Sequence, residues 1–175
     1  GGRLDGSYTF YINEDDNLEG FTQKSELAEH CGFNMISSVQ SKDENIRNAG
    51  DILAVLSEIA ETPECAKVFI VIDTLKKFTS VMSKDAVPEF MKLMRKVNAG
   101  GGTVLILAHA NKRNDPKAPL IAAGVQDIMD DIDVMYAIEN LSDRSDTVQK
   151  CEFQNRKDRG PVDQTILWEY TKSDD

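Results

Sequence analysis

Apolar residues fall along this chain in two rhythms, and each rhythm predicts a different element. Tyr8 to Ile12, Val68 to Ile72, Val104 to Leu107 and Val134 to Ile138 are short, nearly unbroken apolar runs. All four predict strands. A strand with one face in water alternates, whereas one covered on both faces does not, so the unbroken run Val68 to Ile72 predicts a strand buried in the centre of a parallel sheet. Met35 to Val39 predicts a further, less pronounced strand. Helical spacing fills the intervals. Thr22 to Cys31 reads as a helix stopped by Gly32, and Ile52, Val55, Leu56 and Ile59 follow the i, i+3, i+4, i+7 pattern, with Pro63 just beyond. Asp85 to Asn98 predicts a third helix, with Asp85 as cap, Pro88 in the first turn, and Val87, Phe90, Met91 and Met94 on one face. Val125 to Met129 predicts one short helix after a polar loop. The last stretch alternates instead: Val148 to Phe153 and Thr165 to Tyr170 predict a hairpin around a charged Gly-Pro turn.

Strands alternating with helices predict an α/β fold, in two or three layers, around a mostly parallel sheet finished by an antiparallel pair. The 175 residues, 41% of them hydrophobic, suffice for one such domain. Charge narrows the function classes. Twenty Lys and Arg against thirty Asp and Glu give a net charge of −10, which argues against a surface built throughout to grip nucleic acid and leaves room only for a local basic loop. Cys31, Cys65 and Cys151 are odd in number and form no Cys-x-x-Cys pair, which points to a reducing compartment. No apolar run reaches the roughly 18 residues of a membrane helix, and the opening is polar and glycine-rich. The expectation is a soluble, cytoplasmic protein with no membrane partner.

Ligands of open α/β sheets bind beyond the carboxyl ends of the strands. Three strands end there in candidates: Glu14-Asp15-Asp16, Asp73 with Thr74, and His109. A carboxylate fixed at the end of a rigid strand suits Mg²⁺ or its waters, and it equally suits a side-chain cap on a turn; both readings of Asp73 stand at this point. The acidic triplet offers a general base for water, or a solvated loop opening a helix. His109 offers a hydrogen bond to a phosphate, or an ordinary satisfied polar group. Gly100-Gly101-Gly102 is not a phosphate cradle, because it follows a helix and precedes a strand. Lys112, Arg113 and Lys117 concentrate positive charge in one loop, and Gln154 to Gly160 forms a second basic island at the expected hairpin tip.

In order along the chain, these pieces resemble the RecA-like ATPases, closest to the hexameric branch of replicative helicases. The residues that carry the likeness are Ile72-Asp73-Thr74-Leu75, the run from Gly101 to Lys112, Asn155-Arg156, and Tyr11 to Asn17. The resemblance implies that Asp73, with Thr74, binds nucleotide and holds Mg²⁺. It implies that Glu14 or Asp15 activates water, that His109 senses phosphate, and that Arg156 acts across a subunit boundary. Lys112, Arg113 and Lys117 would face single-stranded DNA in the channel of a homo-hexameric ring. The implied activity is ATP hydrolysis coupled to DNA binding or translocation, in a replication protein of a phage, plasmid or mobile element.

Two features depart from that family. The sequence contains no Gly-x-x-x-x-Gly-Lys-Ser/Thr loop, the nest of backbone N–H groups that binds phosphates, so the chain reads as a fragment that does not hydrolyse ATP by itself. Gln154 also stands where the family's hairpin commonly has Lys. A phospho-receiver domain is the rival reading, since it too has an acidic pair after its first strand and an Asp after a central one. Ala108 stands where a receiver needs Ser or Thr. An inactive RecA-like module used for assembly is a third.

Overall fold

The computed structural model describes residues 5–40, 46–80, 86–110, 128, 130–143 and 145–171. Two compact units divide the chain, Gly1–His109 and Ala110–Asp175.

The first unit is built on a four-stranded parallel sheet in the order β2-β1-β3-β4, from β1 (Thr9–Asn13), β2 (Asn34–Ile36), β3 (Phe69–Asp73) and β4 (Thr103–Ile106). Four helices belong to it: α1 (Leu18–Cys31), α2 (Ala49–Ile59), α3 (Leu75–Ser80) and α4 (Ala86–Ala99). The unbroken apolar run of β3 is explained by its place between β1 and β4, which leaves Ile70, Val71 and Ile72 buried on both faces. Ile12 of β1 lies beside Ile72 in register, and both are fully buried. Phe78 of α3 and Phe90 of α4 close the same core with ring centroids 6.1 Å apart.

Local chemistry sets the helix ends. Asn17 caps α1 by accepting from the Gly20 N–H, and Gly32 stops it in the left-handed conformation at φ 77°. Asn48 and Asp51 form a reciprocal capping box on α2. The glycine triplet ends α4, with Gly101 at φ 90°. A side chain at Gly102 would meet Val97 Cγ1 at 2.8 Å, so this bend must stay bare.

Two corrections concern the first unit's elements. α1 begins four residues before Thr22, because its cap is Asn17. The strand expected over Met35 to Val39 stops at Ile36, where the Ser37 hydroxyl accepts from the Val39 and Gln40 N–H groups and turns the chain. The Asp85 cap and nearly all of the expected Val125 to Met129 helix lie outside the described residues.

The second unit contains a separate antiparallel sheet in the order β5-β6-β7, from β5 (Val134–Asn140), β6 (Val148–Asp158) and β7 (Thr165–Thr171). The expected single sheet with an antiparallel end is therefore two sheets. β6 is also far longer than its apolar part, since β5 pairs with it as far as Asp158 across an irregularity at Met135 and Tyr136. Asn155 and Arg156 consequently lie within a strand, not at a hairpin tip. No helix among the described residues is long and apolar enough to cross a membrane.

Candidate functional site

Parallel register gathers polar side chains at one edge of the first unit's sheet. Asn13 pairs with Asp73, and Ile72 pairs with Ile106, so the residues after β1, β3 and β4 leave the sheet at the same end. Backbone hydrogen bonds continue the ladder there: the Glu14 N–H donates to the Asp73 carbonyl at 2.7 Å, and the Leu75 N–H donates to the Leu107 carbonyl at 2.9 Å. Two buried polar residues pin this edge. Asn13 accepts from the Asp15 and Asp16 N–H groups through Oδ1, while its amide donates to Asp16 at 2.6 Å. The Thr74 hydroxyl donates to the Leu107 carbonyl at 3.0 Å, tying β3 to β4.

The Asp73 carboxylate is already engaged. The Tyr11 hydroxyl donates to its Oδ2 at 2.6 Å, and the Lys24 ammonium donates to the same oxygen at 3.2 Å. Tyr11 lies two residues before Asn13 on β1 and pairs with Val71, so strand alternation turns it to the face that carries Asp73. Lys24 comes from α1 and also bonds Asp16 Oδ2 at 2.7 Å, with its ammonium 5.5 Å from the Tyr11 ring centroid. These contacts couple the groups' protonation. Burial, then the bond to Asp73, pushes the Tyr11 phenol up to about 12. Burial works against charge on Lys24, yet the bonds to Asp16 and Asp73 outweigh it and hold the ammonium above its ordinary range. The Lys24 bond is also the main reason that Asp16 lies below the usual carboxylate range.

The other predicted residues divide between gathered and held apart. Asp15 meets His109, whose Nε2 lies 3.2 Å from its Oδ2, and Lys77 Nζ is 3.7 Å from its other oxygen. Both contacts are solvent-screened, with the His109 side chain 70% exposed. Glu14 turns away towards β2, where it accepts from the Ser38 N–H and hydroxyl, each at 2.6 Å. Arg156 belongs to the second unit. It donates to Gln154 along β6, Gln154 in turn donates to Glu152, and among the described residues the buried Arg156 Nε has no hydrogen-bond partner. Lys112, Arg113 and Lys117 lie outside the described residues.

A magnesium ion at Asp73 does not fit this arrangement. Mg²⁺ requires a near-octahedral set of oxygens at about 2.0–2.1 Å. Asp73 Oδ2 already faces an ammonium and a phenol O–H, and among the described residues no group of three or more His, Cys, Asp or Glu gathers where a metal could sit. Sequence reasoning missed Tyr11, Lys24, Ser38 and Lys77. Tyr11 was legible in principle from strand alternation, whereas a lone Lys on a polar helix gives no signal. No protein-family model matches the chain, and no curated protein matches it either.

Proposed function

We propose that the first unit is the nucleotide-facing sheet of a RecA-like ATPase of the replicative helicase type, working on single-stranded DNA. The observation that carries the reading is the convergence of Asp15, Asp73 and His109 at one sheet edge, from the carboxyl ends of three adjacent strands. In this reading Asp73 and Thr74 face the nucleotide, Glu14 or Asp15 orients the attacking water, and His109 donates to a phosphate. Arg156 completes the site of a neighbouring copy in a ring. Lys112, Arg113 and Lys117 supply the contacts to DNA.

The state of β4 adds support. Its sequence is that of a central strand, yet among the described strands it has one neighbour, and Leu105 is 46% exposed. A phosphate-binding loop is carried between a strand and a helix. The free edge of β4, beside His109, suits such a strand. The reading is tested by joining a strand–loop–helix unit of the phosphate-binding kind ahead of Gly1 and measuring ATP turnover. We expect stimulation by single-stranded DNA and a loss of turnover in Asp73→Ala. Unchanged turnover in that variant refutes the role of Asp73.

One observation favours the rival. The order β2-β1-β3-β4 is also that of the flavodoxin-like sheets to which phospho-receivers belong. A small phosphodonor such as acetyl phosphate separates the two. Labelling of Asp73 supports a receiver, and an unmodified chain supports the ATPase.

A further inference from the structure

The misfit of magnesium at Asp73 has a specific cause, and it lies in the chain itself. Asp16 and Asp73 share one ammonium, that of Lys24, with Nζ at 2.7 Å from the first and 3.2 Å from the second. The Tyr11 ring lies to one side of that ammonium, and the Tyr11 hydroxyl takes the same Asp73 oxygen. An ammonium has three donors, and two are spent on these carboxylates. Neither acid belongs to an ordinary surface pair, because the Asp73 side chain is 17% exposed and Asp16 27%.

We infer that Lys24 is a resident cation: its ammonium occupies the position a divalent ion would take between Asp16 and Asp73, and closes the carboxyl edge of the sheet to such ions. The reason is Coulombic. A metal bound to Asp73 Oδ2 at about 2.0–2.1 Å would lie within a few ångströms of the ammonium, and like charges so close in a partly desolvated site repel strongly. The two cations are mutually exclusive, so a divalent ion could bind there only with the lysine displaced. Lys24 is a positioning residue here, since it acts on Asp73 and touches no reacting atom. The inference does not depend on the ATPase reading, because it concerns only which cation the two carboxylates hold.

Manganese alone is the probe, with free Mn²⁺ followed by its electron paramagnetic resonance signal in the presence of the full chain. Lys24→Met keeps the length of the side chain and removes its charge. We expect this variant to bind Mn²⁺ with a dissociation constant of about 10⁻⁴–10⁻³ M, the range of sites with few carboxylates, and the unaltered chain to bind at least about tenfold more weakly. Adding Asp73→Asn to Lys24→Met should abolish the gain. Equal affinity in the unaltered chain and Lys24→Met overturns the inference, as does a gain that survives Asp73→Asn. Lys24→Gln repeats the test with a neutral polar group should the Met variant fail to fold. Asp73→Asn alone decides the matter without touching the lysine. With the ammonium still in place it should leave Mn²⁺ binding unchanged, and a weakening would mean that Asp73 binds the ion beside Lys24, against the proposal. Failed ATP turnover in the joined protein would leave every one of these outcomes unaffected.

Discussion

The two sheets of this chain are stabilised by different means. In the first unit, Ile12, Ile70, Ile72, Phe78, Phe90 and Val97 are all 0–1% exposed, forming a continuous apolar core of strands and helices. In the second unit, the large apolar residues lie on an open sheet: Leu167 is 70% exposed, Trp168 61% and Ile138 52%. Trp168 pairs directly with Cys151, and Ile138 with Phe153, so the apolar stripe there runs across the strands without a described layer above it. Burial of whole side chains dominates the first unit, while cross-strand pairs and turn hydrogen bonds carry more of the second. The chemistry follows the same division. Carboxylates can be held in fixed geometry at the edge of a rigid core, whereas Arg156 lies along a strand of the more exposed sheet.

The largest test of this contrast is truncation. Phe78→Ala removes a fully buried ring from the first core and should cost about 3–5 kcal/mol, and Ile138→Ala in the second sheet should cost about 1 kcal/mol or less. The probes separate naturally. The helices α1 to α4, which hold nearly all the described helical residues, lie in the first unit, and the single tryptophan, Trp168, lies in the second. Urea unfolding followed by helical circular dichroism should shift strongly in Phe78→Ala while the Trp168 fluorescence midpoint stays put. If both probes move together, the units unfold as one and the contrast fails.

A smaller effect addresses the second unit's own support. Gln149 is 3% exposed, and its amide donates to the Asp143 and Asp146 carbonyls at 2.9 and 2.8 Å, closing the connection between β5 and β6. Gln149→Ala leaves those carbonyls without these donors and should cost about 1–3 kcal/mol. That exceeds the loss expected for Ile138→Ala. The Trp168 transition checks it, and a cost below that of Ile138→Ala would show that apolar pairing outweighs the polar turn.

How much of this was legible depended on whether the signal was local. The run from Val68 to Ile72 declared a strand covered on both faces, because no other environment tolerates unbroken β-branched sequence so well. Glu14, Asp15, Asp73 and His109 were legible as strand ends, since parallel register must bring them to one edge. Their pairings were not, because Glu14 found Ser38, sent there by a turn that cut β2 short. α1 hid its first turn, where Gly20 and the acidic residues before Asn17 read as loop. β6 hid its second half, since Asn155 to Asp158 is charged and only pairing with β5 makes it a strand. Lys24 was invisible for a different reason: its role comes from two carboxylates 8 and 49 residues away, and nothing in its neighbours marks it.

The smallest effect expected is one of pH, and it separates the units by their ionisable groups. Tyr11, in the first unit, has its phenol pushed up to about 12 by burial and by the bond it donates to Asp73. Folding therefore favours the neutral phenol. Its contribution is fully present below the ordinary tyrosine value of about 10 and is lost as the pH rises through about 12. Lys24 acts in the same direction, because its protonated form is the one held by Asp16 and Asp73, and deprotonation at still higher pH removes both bonds. Tyr11 is only partly buried, so solvent screening should keep its share below about 1 kcal/mol. Tyr11→Phe should therefore flatten the loss of helical stability between about pH 10 and 12, and leave the Trp168 transition as it was. A slope that survives the substitution unchanged would overturn the assignment of this alkaline loss to the Tyr11 phenol.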